Sequence, residues 1–212
     1  MSGKKRGRGR PRDEELVARR RKEILTAGAL FFAEFGYRNA DIQVLAERLS
    51  VGKGTIYRYF PTKEALFFSA VDAGIRELVD VIDEALAGVV EPIEHMRKGI
   101  HAYLGFFDHN PHIVELLIIE RAEFRDRKQA TYFHYKEREH DRRMAFFAEA
   151  MDQGVVRRMD PERILRLISD TLYGVIFTNN FSRRSVPYQQ QAEDVIEILF
   201  TGILTDAYRM KS

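Results

Sequence analysis

The chain has 212 residues, 45% hydrophobic and 31% charged, with no cysteine. That length buries a sizeable core in one large or two small domains, and the missing cysteines exclude disulfides and thiolate metal sites. A net charge of +2 conceals a division: residues 1–63 carry 15 Lys and Arg against 7 Asp and Glu, and residues 64–212 carry 19 against 25. A basic front and an acidic rear point to an anionic partner for the front alone. No apolar run is long enough to span a membrane, and the basic start is not followed by the apolar stretch of a secretory signal. The cytoplasm is the expected compartment.

Residues 1–13 read as a disordered basic arm. Lys4, Lys5, Arg6, Arg8, Arg10 and Arg12 alternate with glycines and offer nothing to bury. A helix is expected from about Glu14 to Phe35, with Ile24, Ala27, Phe31 and Phe35 at helical spacing and Gly36 as its stop. Asp41 is a candidate N-cap for a short helix whose stripe is Ile42, Leu45, Ala46 and Leu49. Ser50-Val51-Gly52 breaks that stripe. A second short helix runs from Lys53 to Phe60, ended by Pro61, and Thr62 caps the next.

Two short helices joined by a tight turn form a helix-turn-helix pattern over residues 14–62. Leu45, Leu49, Val51, Ile56 and Phe60 supply its small core. Lys53, Gly54, Thr55, Tyr57, Arg58 and Tyr59 are left for the other sides of the second helix, with Lys63 following. Lys53 and Thr55 have donors for base edges, Tyr57 and Lys63 for phosphate, and Gly54 clears a path for sugar-phosphate backbone. The alternative is that Tyr57 and Tyr59 are half-buried core, with Tyr59 packed on the preceding helix.

Gly36-Tyr37, Ile42, Leu45-Ala46, Val51, Lys53-Gly54-Thr55-Ile56-Tyr57, Tyr59-Phe60, Lys63 and Leu66 resemble the DNA-binding domain of TetR/AcrR-type transcriptional regulators. The resemblance covers residues 17–70. It implies an all-α chain: an N-terminal three-helix helix-turn-helix domain, then a larger helical ligand-binding and dimerisation domain over 63–212. It further implies a homodimer on double-stranded operator DNA and a small-molecule inducer that releases it. Two positions depart from the family pattern. Asp41 stands where a threonine is usual and would repel phosphate, and Gly52 replaces a capping serine. Arg8-Gly9-Arg10-Pro11 resembles the core of an AT-hook, in which arginines enter a narrow minor groove. A nonspecific phosphate-neutralising arm, or an architectural A/T-preferring protein led by that arm, is the competing reading.

In the rear domain Tyr103, Phe107, Phe124, Tyr173 and Phe177 are the ligand candidates, although aromatic residues at helical spacing also make plain core. Glu120, Arg121, Glu123 and Arg125 read as a salt-bridged exposed face. The resemblance implies that the last two long helices pair with their copies. His109 and His112 flank Pro111 without ligand spacing, and no nucleophile elbow, phosphate loop or HExxH motif is present. No catalytic residue, cofactor or metal is expected.

Overall fold

The computed structural model describes residues 10–182 and 186–203, with side chains over 14–182 and 186–201. Ten helices occur among these residues, and no β-strand. They are α1 (Arg10–Asn39), α2 (Ile42–Arg48), α3 (Lys53–Tyr59), α4 (Lys63–Leu86), α5 (Pro92–His109), α6 (Pro111–Glu123), α7 (Thr131–Arg138), α8 (His140–Asp152), α9 (Pro161–Ser182) and α10 (Tyr188–Ile203). The chain divides into two compact units between Ala73 and Gly74, a point inside α4.

The first unit is built by its caps. Gly36, at φ 72° and ψ 165°, breaks α1 in a conformation open essentially to glycine alone. Asp41 caps α2 by accepting the Gln43 N–H at 2.8 Å, and Thr62 caps α4 by accepting the Ala65 N–H at 2.9 Å. The sharp turn between α2 and α3 places Ser50, not a glycine, at positive φ. Ile42, Leu45, Ala46, Ile56 and Phe60 are buried with Phe32 and Phe67, whose rings meet edge to face 5.2 Å apart.

α1 starts at Arg10, earlier than the sequence suggested. Arg10 and Pro11 therefore have helical backbone, where the AT-hook resemblance needed an extended segment. Arg8 and the side chain of Arg10 lie outside the described residues.

In the second unit prolines open α5, α6 and α9, each behind a residue able to end or cap a helix. Glu91 caps α5 by accepting the Ile93 and Glu94 N–H groups at 3.0 and 2.6 Å. α5 and α10 approach closely at Gly105, where a Cβ would sit 3.0 Å from the Tyr188 ring. His101 and Arg97 of α5 reach Glu193 of α10 at 2.8 and 2.7 Å.

The stretch from Asn110 to Gly154 is three helices, interrupted at 124–130 and again at Glu139. Glu120 explains the first interruption and corrects the expectation of an exposed charged face. It is 1% exposed; its Oε1 accepts the Thr131 N–H at 3.0 Å and the Thr131 hydroxyl at 2.8 Å, and it pairs with Arg127. Through that one oxygen the buried carboxylate holds the start of α7 against α6, while its Oε2 is buried without a hydrogen-bond partner.

Candidate nucleic-acid interface and ligand cavity

α3 turns Ile56 inward, followed by buried Phe60, and leaves its remaining surface outside. Lys53, Gly54 and Arg58 are exposed; Thr55, Tyr57, Tyr59 and Lys63 are half-buried. Within this unit the candidate residues thus share one short helix and the start of the next. Gly54 is informative because a Cβ there would meet nothing within 4 Å. Folding does not require glycine at that position, so close approach from outside remains as its physical rationale.

Three charged contacts shape the surface. Lys53 Nζ lies 3.7 Å from Asp41 Oδ1. The Arg58 guanidinium sits 5.4 Å from the centre of the Tyr59 ring. Lys63 donates one N–H to the Arg38 carbonyl at 3.1 Å and lies 4.9 Å from the Tyr37 ring centre. Burial lowers the Lys63 pKa from its ordinary value, opposed by the Asp41 charge. The amine has three N–H donors, so its anchorage to Arg38 leaves donors for another acceptor. On the other side Arg48 forks onto Glu34 at 2.6 and 3.1 Å and covers the Phe31 and Phe35 rings, tying α2 to α1.

The second unit encloses a cavity of about 650 Å³ between α4, α5, α7, α8 and α9. Its walls are mainly apolar, including Leu78, Ile82, Ile100, Leu165 and Leu172, and they also carry Tyr103, Tyr132 and Arg143 together with charged Asp83, Lys136, Glu139, Arg142 and Glu149. The Tyr103 and Tyr132 hydroxyls are 2.9 Å apart. Burial raises both phenol pKa values, that of Tyr103 well above the ordinary 10.0. A shallower groove of about 520 Å³ lies over Leu117, Ile118, Arg121, Tyr173, Phe177 and Phe181.

The ligand candidates are dispersed. Tyr103 lines the larger cavity, and Tyr173 and Phe177 line the groove. Phe107 is buried against Tyr103 and Phe106, and Phe124 ends α6 half-buried, lining neither space. Tyr132, Arg143 and the aliphatic walls were not singled out as ligand residues by sequence. Stripes from five helices meet there, and helical spacing alone does not tell a stripe that lines a cavity from one that packs as core.

Residues 24–70 match the model for "Bacterial regulatory proteins, tetR family". The chain is 27% identical over 153 residues to the HTH-type transcriptional regulator YhgD of Bacillus subtilis, covering 68% of this chain and 75% of that one. It is 28% identical over 156 residues to the HTH-type transcriptional repressor KstR of Mycobacterium tuberculosis, covering 74% and 69%. In fold it is similar to the fatty acid degradation regulator FadR of Bacillus halodurans, with a TM-score of 0.73, 19% identity, and 93% and 97% coverage. The helix-turn-helix geometry and these likenesses agree: residues 24–70 are similar to the regulatory proteins of the tetR family, and the chain is a DNA-binding transcriptional regulator.

Proposed function

We propose that the protein acts in the cytoplasm as a homodimeric repressor, released from its operator when a small apolar or aromatic ligand enters the second-unit cavity. The observation that carries this reading is the outer face of α3, where exposed Lys53, Gly54 and Arg58 surround Thr55 and Tyr57 over a closed core. Lys53 and Thr55 read base edges, while Tyr57 and Lys63 hold phosphate and Gly54 admits the sugar-phosphate backbone. Repression accords with the likeness to the transcriptional repressor KstR.

Exposed apolar residues on the last two helices, Leu167, Phe181 and Ile198, support pairing between copies. A two-fold dimer sets two α3 helices on successive major grooves, about 34–36 Å apart. Ligand acts by differential affinity: it favours a conformer whose α3 helices no longer match that spacing. The role is binding, not catalysis.

Footprinting on DNA upstream of the protein's own gene and its neighbours tests the proposal. A discrete near-palindromic site protected at moderate salt supports it; diffuse protection that vanishes with salt contradicts it. The architectural alternative is separated by deleting residues 1–9, which leaves α1 intact. A regulator keeps its operator preference after that deletion, and an arm-led DNA binder loses nearly all binding.

A further inference from the structure

The chemistry of the cavity narrows the ligand further, on the ligand-regulated reading given above. Cations and carboxylates both line it, but most are already paired. Arg142 donates to Asp83 at 2.9 Å and lies 2.8 Å from Glu139, and Glu149 accepts from Gln153 at 3.1 Å. Arg143 differs. It is half-buried in the cavity wall, and no carboxylate or hydrogen-bond acceptor among the described residues meets its guanidinium. A guanidinium turned partly away from water without a counter-charge is costly unless something anionic joins it.

The tyrosine pair adds a second argument, from counting hydrogens. Two phenols hold two O–H groups, and their mutual bond uses one of them. The other hydroxyl hydrogen has no acceptor among the described residues. Arg143 lines the same cavity as the two tyrosines, and its charge opposes the rise that burial imposes on both phenol pKa values. Uncommitted donors of Arg143 and the tyrosine pair therefore line a chamber whose carboxylates, Asp83, Glu139 and Glu149, are bonded to other groups.

We infer that the cavity takes an amphipathic carboxylate, its anionic head against Arg143 and the Tyr103–Tyr132 hydroxyls and its apolar body along the walls from α4 and α9. The head supplies the acceptors the site lacks, and about 650 Å³ is room for an aliphatic or fused-ring body.

Titration calorimetry of the full-length protein with dodecanoate, dodecanol and dodecylamine, all below their aggregation limits, tests the assignment. Dodecanoate is expected to bind about tenfold or more tighter than dodecanol, with dodecylamine weakest. Arg143→Met lowers dodecanoate affinity until it no longer exceeds that of dodecanol, and Arg143→Lys retains a weakened preference. Equal affinity for acid and alcohol, tightest binding of the amine, or no binding of any of the three overturns the inference. The comparison on the unmodified protein stands even if Arg143→Met does not fold. If dodecanoate binds with the expected preference but leaves an operator footprint unchanged, the carboxylate assignment holds and the ligand-released repressor reading falls.

Discussion

Lys53 Nζ lies 3.7 Å from Asp41 Oδ1, so the first residue of α3 is tied to the residue that caps α2. The same carboxylate oxygen accepts the Gln43 N–H at 2.8 Å. Both side chains of the pair are largely exposed, so the pair adds little stability. Its effect falls on the interface, where a negative charge lies beside a lysine assigned to DNA.

Asp41→Asn separates the cap from the charge. Asparagine caps a helix as well as aspartate, so the denaturation midpoint is expected to stay nearly unchanged. DNA affinity rises at all sequences because phosphate repulsion is removed, and rises further at the preferred site because Lys53 is freed. Asp41→Ala instead loses the cap and about 1 kcal/mol of stability. Binding titrations and urea unfolding on both variants check these outcomes.

Gly54→Ala separates folding from binding at α3. A Cβ there meets nothing within the protein, and alanine favours helix over glycine by about 0.5–1 kcal/mol. The variant is expected to be equally or more stable, yet to bind DNA more weakly by about 1 kcal/mol or more, the scale of one lost contact. Unimpaired binding would show that nothing approaches the helix closely at this position.

Tyr57→Phe removes one hydroxyl and is expected to weaken binding uniformly, by about 1 kcal/mol. It is a cleaner probe of phosphate contact than Lys63→Ala. Lys63 also donates to the Arg38 carbonyl and covers the Tyr37 ring, so its removal disturbs the fold as well. Competition assays with unrelated duplexes distinguish a uniform loss from a sequence-dependent one.

The contact between α5 and α10 gives a pH dependence. The Glu193 carboxyl is held below its ordinary 4.5, first by its hydrogen bond to His101 and next by that to Arg97. A carboxyl with a depressed folded pKa contributes stability that is present above 4.5 and lost as pH falls through the folded value. Urea unfolding of Glu193→Gln across the acid range should therefore converge with the unmodified protein below that value. The gap above it is small, because the pair is exposed.

The first unit was legible in sequence because its signals are local. Asp41 and Thr62 are caps, Gly36 is a stop, and the Ile42-Leu45-Ala46 stripe fixes which face of α2 is buried. The second unit carries such local signals where prolines mark helix starts, at Pro92, Pro111 and Pro161, and where Gly88 and Gly154 take positive φ after helix ends. The break at 124–130 was missed, since the residue that anchors it, Glu120, looks like a surface charge until Thr131 and Arg127 fold onto it. Of the cavity's lining only Tyr103 was named as a ligand residue, for a related reason. The cavity is space left between helices, and Arg143 resembles its paired neighbour Arg142 until their partners are known. Aromatic density pointed equally to Phe107, which is core.

The central claim is that the outer face of α3 reads DNA sequence, and selection of preferred sites from a random duplex pool tests it most directly. The unmodified protein is predicted to enrich a near-palindrome, Lys53→Ala to enrich a site altered within each half, and Tyr57→Phe to enrich the original site with lower affinity. Recovery of the same site at the same affinity by Lys53→Ala and by a Thr55→Ala variant would contradict the account.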